Sequence, residues 1–238
     1  AMPTCGQMGA FVPADFHVRL GLVREQELSD LEGALVAYRA ALAEEAGNPS
    51  ALEGLERLLA HDDLRAQVLD VLEPAYEALG QSRKQLELMK VRVEISRDAK
   101  ERSRLLDRMA SLEEDKLGEH EAALHSRTRA FEEWPEQQAG LGHIERLADR
   151  TQRWGEAVAR LGGVLERGVS GDSALAIGCL RARWLHERLG DSAAAEVALR
   201  AVLAIEPTCA PALDRLETLV RASGQASRIV EVLDRRLD

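Results

Sequence analysis

The sequence predicts an all-α fold, an α-solenoid of about thirteen antiparallel helices, and three observations support it. A pattern of leucine, small residue and proline recurs three times, beginning at Leu28, Leu117 and Leu189. The successive starts lie 89 and 72 residues apart, and the register holds across two helices each time. Aromatic residues make up only 3% of the chain, which favours helices packed through Leu, Ala and Val over a sheet. Glycine and proline occur at intervals of about one helix and mark turns between helices. This is expected for stacked helical units that bury their apolar faces against neighbouring units.

Turn residues divide the chain into these helices. In chain order, the turns fall at Asn48-Pro49, Gly80, Gly118, Trp134-Pro135, Gly171-Asp172, Gly190-Asp191, Glu206-Pro207 and Gly224. Behind each repeated proline, apolar residues recur with helical spacing: Leu52, Leu55 and Leu58, then Leu141, Ile144 and Leu147, then Leu213, Leu216 and Leu219. The predicted helices span 15–27, 30–45, 49–60, 63–79, 82–96, 99–117, 119–133, 135–150, 152–167, 171–189, 191–205, 207–223 and 225–237.

Small residues predict close helix pairs. In three pairs a small residue of the first helix precedes an alanine of the second by thirteen positions: Gly21 and Ala34, Ala110 and Ala123, Ala182 and Ala195. Such pairs let two antiparallel helices approach closely.

This pattern resembles the tetratricopeptide repeat (TPR), and the match is carried by Ala110, Ala123, Ala130 and Pro135 and by Ala182, Ala195 and Pro207. The resemblance implies a right-handed superhelix whose first helices line a concave groove for a peptide or a partner's helix. The chain resembles the degenerate, Arg-rich arrays that are common in large bacterial scaffold proteins, and we expect it to be a fragment of one. The family's clamp of Lys, Asn and Arg for a carboxylate tail is not reproduced at the corresponding positions.

For domain organisation, residues 1–14 are expected to be a mobile leader or an expression scar, because Pro3, Gly6, Gly9 and Pro13 interrupt any helical period. Residues 15–238 are expected to form a single TPR-like helical repeat domain, since none of the turns is long enough to be a domain linker.

Composition excludes several classes of function. The formal net charge of -10 disfavours nucleic acid as a partner, and no apolar stretch predicts insertion into a membrane. Cys5, Cys179 and Cys209 are an odd number without C-x-x-C spacing, which favours a reducing, cytoplasmic location over a disulfide framework or a thiolate metal site.

Apparent catalytic and metal motifs fail on spacing. In the segment from His120 to His125 the second histidine is one residue too late for a zinc-protease helix, and a surface pair of Glu121 with His125 is expected instead. Cys179 and His186 are two helical turns apart, roughly 10 Å, which is too far for a thiolate and imidazole pair. We therefore predict a non-enzymatic protein with no cofactor and no metal.

The most distinctive charge feature lies in residues 81–108, which contain nine basic residues and five acidic ones. Lys100, Arg104 and Arg108 recur every four residues and so form one stripe on a helix, opposite a buried apolar face. An acidic partner segment could dock on this stripe. The alternative is a solvated face on which the cations pair with Glu94, Asp98, Glu101 and Asp107.

These patterns predict a protein-protein interaction scaffold that binds a partner protein or peptide on the concave surface of the array. The candidate partner-binding residues are Arg97, Lys100, Arg104, Arg108, Ser111, Arg183 and His186. The alternative is a structural, self-assembling segment, because the last predicted helix carries Ile229, Val230, Val232, Leu233 and Leu237 on more than one face.

Overall fold

A computed structural model describes residues 14–222 of the chain. The described residues form twelve α-helices and no strand, which confirms the predicted all-α repeat fold. The helices are α1 (Ala14–Gln26), α2 (Leu31–Glu44), α3 (Pro49–Leu58), α4 (Asp62–Ala78), α5 (Ser82–Ile95), α6 (Ala99–Asp115), α7 (His120–Glu133), α8 (Gly140–Thr151), α9 (Trp154–Glu166), α10 (Gly171–Glu187), α11 (Ser192–Ile205) and α12 (Ala210–Ala222). The predicted thirteenth helix at 225–237, and nearly all of the predicted leader at 1–14, lie outside the described residues.

Two predicted helix starts were wrong. Only Pro49 begins a helix, where the preceding Asn48 side chain accepts a hydrogen bond from the Ala51 amide and so caps α3. After Pro135 and Pro207 the chain first makes a turn, and α8 and α12 begin at Gly140 and Ala210. The Trp134 side chain has no hydrogen-bond acceptor that could cap a helix beginning at Pro135. The chain instead forms short hydrogen-bonded turns before α8 begins.

The described residues divide into two compact units, 14–96 and 97–222. In the first unit, α1 with α2 and α3 with α4 form α-hairpins, and α5 packs on α4 without a second helix of its own. In the second unit, α6 with α7, α8 with α9, and α10 with α11 form hairpins, and α12 packs on α11 and α10. Whether residues 15–238 act as one domain stays a prediction.

The helix α5 explains why the two repeat offsets differ. Five helices separate the turn at Leu28 from the turn at Leu117, whereas four separate Leu117 from Leu189. The offsets of 89 and 72 residues differ by 17, which is the length of one helix of fourteen residues with its turn. The register therefore places α1, α3, α5, α6, α8, α10 and α12 in the first-helix position.

The core of the first unit is organised around Tyr38 on α2. Its ring is fully buried and lies between two glycines, Gly21 of α1 and Gly54 of α3. A Cβ at Gly21 would fall 2.5 Å from the Tyr38 ring, so glycine is required for α1 to pack on α2 at this distance. The small residue predicted to face Ala34 thus accommodates an aromatic ring.

The core of the second unit is mostly aliphatic and contains one pair of aromatic rings in contact. Trp154 of α9 meets Trp184 of α10 edge to face, with ring centroids 5.5 Å apart. Both tryptophans are buried, and the Arg188 guanidinium lies 4.7 Å from the Trp154 ring centroid. This pair joins the second helix of one hairpin to the first helix of the next.

Candidate partner-binding surface

The basic stripe predicted from the sequence lies along α6. Lys100, Arg104 and Arg108 are exposed and extend over about 12 Å of helix, given a rise of 1.5 Å per residue. Arg97 is exposed just before the helix begins. We call these four residues the α6 stripe.

Local sequence explains why α6 presents these cations to solvent. The Asp98 side chain accepts a hydrogen bond from the Lys100 amide and caps the helix at its amino end. On the opposite face, Leu105, Leu106 and Met109 are buried, as predicted from their spacing. Burial of this apolar face fixes the rotation of α6 and leaves the stripe outside.

Two acidic residues near the stripe, Asp107 and Asp98, are engaged elsewhere. The Asp107 carboxylate forms an ion pair with Arg127 of α7 at 2.9 Å, and Asp98 serves as the helix cap. Within residues 14–222, Arg97, Arg104 and Arg108 have neither a hydrogen-bond nor an ion-pair partner. The pairing of these cations with Asp98 and Asp107, which the alternative interpretation expected, is therefore absent from the described structure.

Lys100 has an aromatic neighbour. Its ammonium nitrogen lies 5.0 Å from the centroid of the Trp134 ring, which follows α7. The Trp134 indole nitrogen is buried and has no hydrogen-bond partner in the described structure. This contact with Trp134 restricts the conformational freedom of the Lys100 side chain.

The remaining predicted residues do not join the stripe. Ser111 is half-buried and accepts a hydrogen bond of 2.9 Å from Arg127. Arg183 lies on α10, where one guanidinium nitrogen donates to both carboxylate oxygens of Glu145 at 2.7 and 2.6 Å. The His186 Nδ1 is 3.1 Å from the Ser192 hydroxyl. Partner contact by these three residues stays a prediction, and any partner would have to compete with these internal bonds.

Arg183 and Glu145 belong to a row of ion pairs that joins successive first helices. In the second unit, Glu114 of α6 pairs with Arg146 of α8, and Glu145 of α8 pairs with Arg183 of α10. The hydrogen bond from Arg146 holds the pKa of Glu114 below its usual value. We call this row, with its counterpart in the first unit, the ion-pair ladder.

In the first unit the ladder begins with Glu25 of α1. The Arg57 guanidinium donates to both Glu25 oxygens at 2.8 Å, and the Tyr38 hydroxyl donates to Glu25 at 2.6 Å. These bonds, chiefly the one from Arg57, lower the pKa of Glu25. Burial and the carboxylate together raise the pKa of Tyr38.

The same arrangement recurs one hairpin later. The Tyr76 hydroxyl donates to Glu56 at 2.5 Å, and the Lys84 ammonium donates to the same oxygen at 2.7 Å. Burial acts to raise the pKa of Glu56, but these two hydrogen bonds outweigh it and the pKa is lowered. Each tyrosine thus comes from a second helix and supports a pair between two first helices.

Sequence reasoning missed the ladder, although the repeat register contains it. The 89-residue offset maps Glu25 and Arg57 onto Glu114 and Arg146, and maps Glu56 onto Glu145. Charged residues that recur at the repeat offset, on helices predicted to be neighbours, would have indicated the pairs.

Other sequence-level expectations have definite outcomes in the described residues. The expected pair of Glu121 with His125 was wrong, because Glu121 forms an ion pair with Arg153 at 2.5 Å and the His125 ring lies 3.8 Å from Glu156. Residues 14–222 contain no group of three or more His, Cys, Asp or Glu side chains placed to hold a metal ion. In the same part of the chain, no helix has the length and apolar character needed to cross a membrane.

Comparison with known proteins finds similarity only among solved structures. No family model and no curated protein matches the chain. BtubC (BKLC) from P. vanneervenii matches at 17% identity over 85% of this chain and 89% of that one, with a TM-score of 0.40. A tetratricopeptide repeat protein from Parabacteroides merdae matches at 18% identity over 93% and 78%, with a TM-score of 0.33. The TPR2AB domain of yeast Sti1, solved as a complex with pHSP90, matches at 16% identity over 94% and 89%, with a TM-score of 0.32.

The chain has a TPR-like helical repeat fold. Because identities and TM-scores are low, this assignment rests on the hairpins themselves, with their small residues at thirteen-residue spacing and their recurrent register.

Proposed function

We propose that this chain is a non-catalytic protein-interaction scaffold, and that the α6 stripe binds an acidic segment of a partner protein. One observation carries the proposal. Arg97, Arg104 and Arg108 have no partner within residues 14–222, whereas the ladder pairs the cations Arg57, Lys84, Arg146 and Arg183 on other first helices. Cations that lie in a row without a partner in the described structure are available to bind carboxylates of another protein.

Charge distribution supports an acidic peptide and not a general polyanion. The chain as a whole has a formal net charge of -10, so a long polyanion would be repelled by most of its surface. A short acidic segment can contact the α6 stripe alone. Nucleic acid is further disfavoured because Trp134, the aromatic ring beside the stripe, is already covered by Lys100.

The distances between cations in the α6 stripe determine the spacing that we expect of the carboxylates in its ligand. Side chains four residues apart on a helix lie about 6 Å apart, so a partner helix with carboxylates at every fourth residue matches Lys100, Arg104 and Arg108. Exposed ion pairs contribute only about 0.2–1 kcal/mol each, so we expect modest affinity and a strong dependence on salt. Apolar contacts would have to supply the rest of the binding energy. We place the interaction in the cytoplasm, which the free thiols of Cys179 and Cys209 support.

The test uses a fluorescein-labelled helical peptide with Glu at every fourth residue, and the triple variant Lys100→Glu, Arg104→Glu, Arg108→Glu. Fluorescence anisotropy should show at least a tenfold weaker Kd for the variant. A matched control changes three exposed cations on other helices, Arg19→Glu, Lys90→Glu and Arg150→Glu, and should bind as the unmodified protein does. Equal weakening in both triple variants would indicate general electrostatics and would reject the α6 stripe.

A second measurement separates peptide from nucleic acid. A labelled single-stranded RNA of the same length and net charge should bind the unmodified protein at least tenfold more weakly than the peptide. Comparable binding of the RNA would contradict the proposed partner class. Affinity capture with the unmodified and triple-variant proteins would then identify the natural partner by the difference between them.

A further inference from the structure

A groove runs along the surface of the first unit between two second helices, α2 and α4. Its volume is about 650 Å³, and nine of the twelve residues that line it are apolar. The lining on α4 extends from Gln67 to Ala78, which is about 16 Å of helix at a rise of 1.5 Å per residue. Val36 in the α2 wall is 63% exposed, so the groove is open to solvent. We call this feature the α2–α4 groove.

The second unit contains the counterpart of this groove, and there charged side chains connect the two helices. The 89-residue offset maps α2 onto α7 and α4 onto α9. Ala43 and Val71 of the groove correspond to Glu132 and Arg160. The Arg160 guanidinium donates to the Glu132 carboxylate at 3.2 Å and so joins α9 to α7.

The same replacement occurs at both ends of the groove. Ala78 corresponds to Arg167, whose guanidinium lies 4.0 Å from the Glu132 carboxylate. Val36 corresponds to His125, whose ring nitrogen lies 3.3 Å from the Arg160 guanidinium. Ion pairs and hydrogen bonds therefore connect α7 with α9 at the positions where α2 and α4 present small or aliphatic side chains to solvent. Apolar surface of this kind gains free energy when a partner covers it.

The charge of the groove indicates what its occupant must carry. Within the described lining Arg39 is the one cation, it is exposed, and it has neither a hydrogen-bond nor an ion-pair partner in residues 14–222. Its counterpart 161 residues further on is Arg200, which pairs at 2.8 Å with Glu196 one turn earlier, whereas the residue one turn before Arg39 is Leu35. The acidic residue of the lining, Asp70, already pairs with Arg92 at 2.7 Å. An occupant that places a carboxylate beside an apolar surface is therefore complementary to the groove.

From these observations we infer that the α2–α4 groove binds an amphipathic helix of a partner protein, with aliphatic side chains in the groove and a carboxylate on Arg39. The groove is elongated and lies between two helices, and its length of about 16 Å equals about three turns of a third helix. Such a helix would contact the groove through residues i, i+4, i+7 and i+11. This surface uses no residue of the α6 stripe, so the inference is independent of the proposed function.

The probe is a fluorescein-labelled helical peptide with Leu at positions i, i+4, i+7 and i+11 and one Glu beside this apolar face. Fluorescence anisotropy with the full chain should show saturable binding. The double variant Ala43→Glu, Val71→Arg, which we call the closing variant, copies the pair of Glu132 and Arg160 into the groove and should weaken the Kd at least tenfold. The control Ala66→Glu, Ala201→Arg places the same side chains at exposed positions outside the lining and should bind as the unmodified protein does.

The variant Arg39→Glu tests the carboxylate separately, at an exposed position where the fold should persist and far-ultraviolet circular dichroism should be unchanged. It should weaken binding at least fivefold, and a peptide with Lys in place of the Glu should restore binding to this variant. Equal binding by the closing variant and the unmodified protein would overturn the inference. So would an absence of saturable binding to the unmodified protein, or a loss in Arg39→Glu that the Lys peptide does not restore.

Two further measurements distinguish other occupants of the groove and the other binding surface. If sedimentation equilibrium shows a dimer of the unmodified chain that the closing variant abolishes, a second copy occupies the groove and the inference is wrong. The triple variant Lys100→Glu, Arg104→Glu, Arg108→Glu should bind the leucine peptide normally, and the closing variant should bind the peptide with Glu at every fourth residue normally. Loss of the leucine peptide in the triple variant would show that this peptide binds the α6 stripe, which would also overturn the inference.

Discussion

Replacing Gly54 by alanine should destabilise the first unit, although alanine is the better helix former. The Tyr38 ring lies against Gly54, and a Cβ there would fall 2.6 Å from the ring Cε2 and 2.7 Å from Cε1. Real Cβ contacts do not reach such distances, so either the ring or α3 must move. The ring cannot simply move away, because Gly21 confines it on the opposite side and the residue is fully buried.

Two effects of known size compete in this variant. Removing glycine from a helix interior stabilises by about 0.5–1 kcal/mol. Overpacking a close-packed core costs about 1–3 kcal/mol, and a displaced ring would also weaken the 2.6 Å hydrogen bond from Tyr38 to Glu25, a bond class worth about 1.5–3 kcal/mol. The steric effects outweigh the helix propensity, and we expect a net loss of about 2 kcal/mol in the free energy of unfolding. That corresponds to a decrease in Tm of about 4–8 °C.

Urea unfolding followed by circular dichroism at 222 nm measures the free energy directly. The control is Gly163→Ala in α9, where the new Cβ would meet only the Arg167 side chain at 3.8 Å, and which should stabilise the protein by up to about 1 kcal/mol. In a Tyr38→Leu background the clash is gone, so Gly54→Ala should become neutral or stabilising. If Gly54→Ala raises the stability of the unmodified protein as Gly163→Ala does, the argument that Tyr38 fixes the spacing of α1 and α3 is refuted.

Two further predictions concern the same unit. Arg57 lowers the pKa of Glu25, so the stability that this carboxylate contributes is complete above its unfolded pKa of 4.5 and is lost as the pH falls through its folded pKa. Glu25→Gln should therefore be destabilising at neutral pH and should approach the stability of the unmodified protein in acid. The control Glu32→Gln, at an exposed position, should match the unmodified protein at every pH. Pro74 lies inside α4 and cannot donate a hydrogen bond to the Asp70 carbonyl, so Pro74→Ala should raise the free energy of unfolding by about 1–2 kcal/mol after the entropic cost in the unfolded chain. An unchanged or lower midpoint in urea would contradict this.

Turn residues and helix caps, which act within a few residues of each other, made most of the helix boundaries predictable from the sequence. Helix ends at Asn48-Pro49, Gly80 and Gly118 follow from capping and from positive φ, since the two glycines have φ of 66° and 67°. Trp134-Pro135 has the same proline without a capping side chain, and there the predicted start was wrong by five residues. A proline therefore indicates a turn and does not by itself fix the residue at which the next helix begins.

The buried contacts were harder to predict because they depend on residues distant in the chain. Gly21 was recognised as a site of close packing, but spacing alone assigned it to Ala34 and not to the Tyr38 ring, one helical turn further along α2. The stacking of Lys100 on Trp134 joins residues 34 positions apart on no common helix, and neither composition nor period indicates it.

The ion-pair ladder explains how His186 differs from Arg104 and Arg108 among the candidate binding residues. The register that relates Glu25 to Glu114 leads next to His186, and the register that relates Arg57 to Arg146 leads to Thr218. Both charges are lost at the third repeat, where Glu187 and Arg215 pair instead at 3.1 Å. His186 was predicted to contact a partner, but the register gives it the position that Glu25 and Glu114 occupy in the ladder, without their charge. Arg104 and Arg108 are different, because within the described residues they are cations without a carboxylate. Because the ladder already pairs cations on other first helices, we expect an acidic partner to contact the unpaired cations of the α6 stripe.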